Sequence, residues 1–237
     1  MTTYPDVCLQ NIVDFSPWWE EYNGPEYRPG RLVWAFLPYV DQVPLVLKHT
    51  GRGGEDGTEH YHLKSDLEYF NVKDSNTYIS LPAAALPQKN KEVRFIYRAK
   101  CRPAIIISKS GKQVDSELKK GMASYQTAPM ILVAPSFGVD SEMRSGYKPE
   151  LVDRIRRCEY PQFLWDMLPI NSRTQESLFR LDQIQPVGKT TRSIKFTDYC
   201  LSVEALQLIY VQIEWLCTGQ VSADANFNKY RDFLMEI

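Results

Sequence analysis

The chain has three histidines, His49, His60 and His62, and no two of its five cysteines stand at Cys-x-x-Cys spacing. That removes the usual zinc frameworks, which need four ligands at recognisable intervals. Glu59-His60-Tyr61-His62 would put two imidazoles on one strand face, but no third and fourth ligand accompany them. They are expected as surface histidines in a loop-rich stretch, with no metal and no other cofactor. Gly-x-Ser-x-Gly and His-Glu-x-x-His are absent, and so is a Cys–His constellation, so triad hydrolase and zinc protease chemistry has no support. Gly51-Arg-Gly-Gly-Glu-Asp-Gly57 is glycine-rich but lacks the Gly-Lys-Ser/Thr ending of a phosphate loop. No apolar run approaches the ~20 residues of a membrane span. The opening Met-Thr-Thr-Tyr-Pro-Asp has neither the basic nor the apolar region of a leader. With an odd number of cysteines, this predicts reduced thiols, a cytoplasmic location and no membrane contact.

What is present fits one domain of 237 residues with a sizeable insertion; 43% of residues are hydrophobic and 24% charged. A net charge of −1 conceals an uneven distribution. Residues 1–88 carry six basic against twelve acidic side chains, while residues 89–120 carry ten against three. A basic middle is either an anion or nucleic-acid footprint or a solvated strand and loop.

Residues 1–28 are dense in aromatics and prolines, which exclude a long helix and suggest an arm covering the core. Arg31 to Leu37 reads as a first strand, nearly continuous in apolar character. Residues 39–99 read as an insertion, with strands near Val43–Lys48, Thr77–Leu81 and Val93–Tyr97, a flexible loop at Gly51–Gly57 and a connector from Pro82 to Pro87. Arg102 to Ser108 is a β-branched strand, Lys109 to Gln126 a charged loop, and Met130 to Ala134 a further strand closed by Pro135-Ser136-Phe137-Gly138. Lys148 to Cys158 predicts a short basic helix and Phe163 to Leu168 a strand.

From Ser177 the chain reads as another strand, with Phe179 and Leu181 on one face and Arg180 and Asp182 on the other. Ser202 is a good cap for a helix ending at Gly219, with Val203, Leu206, Tyr210, Ile213 and Cys217 as its stripe and Leu201, Ala205, Leu208 and Ile209 widening it. An extra helix is expected over 223–235. Strands first and helices last predict an α+β fold with a small, mostly antiparallel, barrel-like sheet.

Arg102, Ser136, Arg180 and Asp182 are the residues left for chemistry. Ends of strands at one rim of a small barrel can converge. Two arginines, a hydroxyl and a carboxylate suit a phosphodiester, because Arg offers a fixed fork of donors to phosphate and a carboxylate can accept a ribose 2′-OH proton. Spacing alone favours the plainer reading, with Arg180–Asp182 as a structural same-face pair and Ser136 as a turn residue.

Four runs, in order, resemble the MazF/PemK-like toxin family. Pro29-Gly30-Arg-Leu-Val-Trp34 resembles its opening strand, and Arg102-Pro103-Ala104-Ile-Ile-Ile-Ser108 its Arg-Pro-Ala strand. Ile131-Leu-Val-Ala-Pro135-Ser136 resembles its Ala-Pro-hydroxyl strand, and Leu181-Asp182-Gln183-Ile184 with Val187 and Lys189 its Leu-Asp-Gln-Ile signature. The resemblance implies an SH3-like β-barrel with C-terminal helices, related to the CcdB fold, and a homodimer. It implies metal-independent cleavage of single-stranded RNA to 2′,3′-cyclic phosphate and 5′-OH ends, in a toxin or defence effector restrained by an antitoxin. By motif position Arg102 is the acid/base candidate, Ser136 steadies the phosphate, and Arg180 and Asp182 form a catalytic pair. Arg98, Lys100, Lys189 and Arg192 would bind RNA. The alternative is a non-catalytic module of the same fold that binds a protein or nucleic acid. The long insertion, Arg31 in place of the family's Asp, and Gly188 in place of another depart from the pattern.

Overall fold

The β-branched and apolar runs form the middle of an antiparallel sheet. The computed structural model describes residues 4–53, 59–74, 93–109, 117–122, 130–139, 146–170, 173–189, 192–221 and 226–237. The expected strand Thr77–Leu81, the connector 82–87 and most of the loops at 51–57 and 109–126 lie outside them. The architecture is α+β. The chain divides into two compact units, 1–37 with 101–237, and 38–100; the expected insertion falls in the second.

In the larger unit the strands are β1 (Trp19–Glu21), β2 (Arg31–Pro38), β6 (Ala99–Lys109), β7 (Met130–Gly138), β8 (Phe163–Ile170), β9 (Arg173–Arg180), β10 (Gln185–Gly188) and β11 (Ile194–Leu201). Their order is β1-β11-β2-β6-β7-β9-β8, with β10 also on β7. Pairings run antiparallel, for example Ala104↔Pro135, Ser136↔Phe179 and Phe163↔Arg180. The path of backbone pairing is open among the described residues; no closed barrel is seen.

Alternation gives the sheet two faces. Leu32, Ile105, Ile107, Ala134, Leu164 and Phe179 lie in the principal core, together with Leu208 and Ile209 of a C-terminal helix. The opposite face gathers Val33, Ala35, Ala104, Ile106 and Val133 in one cluster, and Trp165 and Leu178 with Val152 and Ile155 in another. Four helices are described: α1 (Leu9–Ile12), α2 (Pro149–Arg156), α3 (Val203–Thr218) and α4 (Asn226–Glu236). The face of α3 that is buried carries Ala205, Leu208, Ile209 and Gln212, so the expected 203-206-210-213-217 stripe is corrected: Val203 is 57% exposed and Cys217 is exposed.

The N-terminal arm is part of the core. Trp18 and Leu9 are buried in the principal cluster. The fully buried Asp166 on β8 accepts hydrogen bonds from Tyr4 Oη (3.0 Å), Trp18 Nε1 (2.9 Å), Trp19 Nε1 (3.1 Å) and the Met167 N–H (2.7 Å). Trp19 belongs to β1 and Asp166 to β8, the two ends of the strand path. Side-chain hydrogen bonds therefore join the edges that backbone pairing leaves open, and the sheet is curled by a clasp instead of closed by a ladder. Arg31 is almost completely buried on β2. It donates to the carbonyls of Gly24, Glu26 (2.9 Å) and Thr197 (3.2 Å) and stacks over Phe196 (3.9 Å). Its burial pulls its pKa down. Arg31 is thus a buried cation that fastens the arm to β2.

The second unit is a three-stranded sheet of β3 (Leu45–Gly53), β4 (Glu59–Tyr69) and β5 (Phe95–Ile96), ordered β4-β3-β5. Residues 59–62 are part of β4, so the histidines expected in a loop-rich stretch lie on a strand; His62 is exposed. Phe70 packs edge-on against Phe95, with centroids 4.7 Å apart.

Candidate functional site

Three neighbouring strands carry the motif residues. Arg102 lies on β6, Ser136 on β7 and Arg180 at the end of β9; Asp182 follows in the 3-10 turn Leu181–Gln183. Cross-strand partners share a face, and residues two apart on a strand share a face. Ala104↔Pro135 and Phe137↔Leu178 therefore place Arg102, Phe137, Leu178 and Arg180 on one side. Consistent with this, the Arg102 guanidinium lies 4.1 Å from the Phe137 ring centroid. At about 4.8 Å per strand and about 3.4 Å per residue, the Arg102 and Arg180 positions are about 10 Å apart across the strands and about 7 Å along them, roughly 12 Å in all, a span that two arginine side chains can close upon one phosphate.

Arg180 holds Asp182 in a two-pronged pair, Nε to Oδ1 at 2.7 Å and Nη2 to Oδ2 at 2.6 Å. The side chains are 21% and 32% exposed, so the pair is open to an incoming group. Asp182, then the Tyr147 hydroxyl, hold the Arg180 pKa above its ordinary value against the effect of burial. The guanidinium also lies over the Phe163 ring at 5.1 Å, and Phe163 meets Tyr147 edge-on at 6.2 Å. Tyr147 stands just before α2. The surface thus offers one arginine on an aromatic plate, a second arginine bound to a carboxylate, and a phenol beside them. Phosphate oxygens fit the arginine forks and a hydroxyl proton fits the carboxylate.

Ser136 is not part of this surface. β7 continues as a strand through Pro135 to Gly138, so Ser136 is a strand residue and not a turn residue. It pairs with Phe179 of the principal core, is 2% exposed, and its buried Oγ has no hydrogen-bond partner. Pleating turns it away from Arg102 and Arg180.

The residues expected to bind RNA are dispersed. Arg98 and Lys100 belong to the 38–100 unit, where Arg98 donates to Gln42 Oε1 (2.9 Å) and lies over Tyr39. Lys189 follows β10 and lies over Tyr27 at 5.7 Å. Arg192 lines a separate cleft with Trp34, Phe36 and Lys195. Phe137, Tyr147 and Phe163 were not singled out from sequence; extending the Met130 strand through Pro135 would have revealed Phe137 as the neighbour of Arg102.

No family model, curated protein or solved structure matches this chain. Among the described residues no group of three or more His, Cys, Asp or Glu side chains could hold a metal ion, and no helix is long and apolar enough to cross a membrane.

Proposed function

We propose that the chain is an endoribonuclease that cuts single-stranded RNA without a metal ion, leaving 2′,3′-cyclic phosphate and 5′-OH ends. The observation that carries this reading is the shared face of Arg102, Arg180 and Asp182. The four ordered sequence motifs supply the reaction class. Asp182 accepts the 2′-OH proton as O2′ bonds to phosphorus. Arg102 and Arg180 neutralise the charge that gathers on the phosphate oxygens. The P–O5′ bond then breaks, and the 5′ oxygen takes a proton from water. The same reading makes the protein a MazF/PemK-like, SH3-like toxin or defence effector in the cytoplasm, acting as a homodimer and restrained by an antitoxin.

The test is labelled single-stranded RNA incubated with the purified protein in EDTA. Cleavage should yield cyclic phosphate ends, and Arg102→Ala and Asp182→Asn should each lower the rate by about 10²-fold or more. Ser136→Ala should stay within a few-fold of wild type. No cleavage by wild type, or equal cleavage by Arg102→Ala, overturns the reading. A second reading, a non-catalytic module that binds nucleic acid or protein, is favoured by the burial of Ser136 and by the mutual neutralisation of Arg180 and Asp182. RNA retention without cleavage would assign it.

A further inference from the structure

A cleft of about 480 Å³ opens between β2, the start of β6 and the turn into β11. That volume is within the ~300–1,000 Å³ of small-ligand sites. Its lining includes Trp34, Phe36, Cys101, Arg192, Ser193 and Lys195. The register pair Trp34↔Lys195 puts the ammonium and the indole on one sheet face, and Phe36, two residues on, shares it. Phe36 is 67% exposed, an unusual position for a phenylalanine on a central strand. Arg192 and Lys195 are exposed and have no hydrogen bond or ion pair among the described residues. No acidic residue lines the cleft.

We infer that this cleft is a nucleotide-binding site, with the base against Trp34 and Phe36 and the phosphate held by Arg192 and Lys195. Aromatic rings offer any base a stacking partner, and unpaired cations supply the complement to phosphate. An aliphatic ligand would leave both cations unanswered, and a bare anion would leave the aromatic wall unused. Cys101 and Arg102 are successive strand residues and point to opposite faces, so the cleft is not an extension of the Arg102–Arg180 surface. The inference goes beyond the proposed cleavage and does not depend on it.

Two thiols make the test direct. Cys101 and Cys217 are both exposed, and only Cys101 lines the cleft. Alkylation of each by iodoacetamide is followed by mass spectrometry in the intact protein. The arms contain a nucleoside monophosphate, an uncleavable 2′-O-methyl oligonucleotide, or inorganic phosphate. At ligand tenfold above Kd, labelling of Cys101 should slow about tenfold while Cys217 is unaffected. The double variant Arg192→Glu/Lys195→Glu, with melting unchanged, should lose this protection. Protection by the mononucleotide assigns a free nucleotide; protection by the oligonucleotide alone assigns a nucleotide within a strand. No protection in either arm, equal protection in the double variant, or protection by inorganic phosphate equal to that by nucleotide overturns the inference. Because the oligonucleotide cannot be cut, this outcome is separate from that of the cleavage assay.

Discussion

A carboxylate with no solvent exposure commonly faces a cation; Asp166 is held instead by two indoles, a phenol and a backbone N–H. Burial pushes its pKa up to about 6 from 3.8, against the opposing pull of the Trp18, Tyr4, Trp19 and Met167 hydrogen bonds. The native state therefore binds a proton more readily than the unfolded chain. This group's favourable share of stability is complete below about pH 4 and is lost as pH rises through about 6. A rise of that size corresponds to about 3 kcal/mol. Urea midpoints measured from pH 4 to 7 should reveal this slope in wild type and a flatter profile in Asp166→Asn; parallel profiles would refute it. None of this was legible in sequence, because Asp166 meets its arm partners across 147 to 162 positions. The Arg180–Asp182 pair was legible, because its geometry spans only two residues. The setting of Ser136 was legible only in part: the residue type suited phosphate, but its face depended on whether the strand ran on past Pro135.

Elements were read best at their ends. Ser202 caps α3, accepting from the Ala205 N–H at 3.3 Å, and Gly219 closes it at φ 73°, in the left-handed region, with its N–H on the Trp215 carbonyl at 2.8 Å. These signals are local and unambiguous. Ser202→Ala should lower stability by about 1 kcal/mol, and by more than an exposed Ser→Ala, since the cap is 2% exposed. Chemical denaturation checks this, and an unchanged midpoint would contradict the cap's role. The buried face of α3 was harder, because apolar residues surround the helix and the sheet selects among them. It selects the side bearing Gln212, whose Nε2 donates to the carbonyls of Tyr160 (3.2 Å) and Phe163 (2.6 Å) and ties α3 to the entry of β8. A buried glutamine with a structural role breaks an apolar pattern, so periodicity passed over it. Pro135 misled in the other direction. It falls where β7 changes partner, after Val133 on β10 and before Ser136 on β9, a place where a missing donor is tolerated. Among the strands not expected from sequence, β11 escaped notice because Ile-Lys-Phe-Thr-Asp-Tyr alternates weakly; Lys195 pairs with Trp34 of β2, and Tyr199 to Leu201 pair with the arm strand β1.

For the molecule as a whole, apolar burial is divided unequally. Among the described residues, Val46 is the one buried hydrophobic of the 38–100 unit, whereas both sheet faces of the larger unit are covered. The larger unit also contains both ends of the Asp166 clasp and the Arg31 fastening, so its closure needs nothing from 38–100. β2 and β6, which flank the inserted unit in sequence, are neighbours in the sheet, and the Gly30 N–H donates to the Ile106 carbonyl at 2.7 Å. An antiparallel pair of this kind can be joined by two residues in a tight hairpin. Replacing 38–100 by Asn-Gly should therefore leave a chain that melts cooperatively and keeps the protected amides of β6, β7 and β11. The Arg102–Phe137 stack and the Arg180–Asp182 pair lie wholly within the retained chain, so its single-stranded RNA cleavage should persist if the proposed site is complete in that unit. A folded but inactive excision variant would assign the inserted unit a share in RNA handling. Loss of the cooperative transition would show that the larger unit depends on the insertion for its stability.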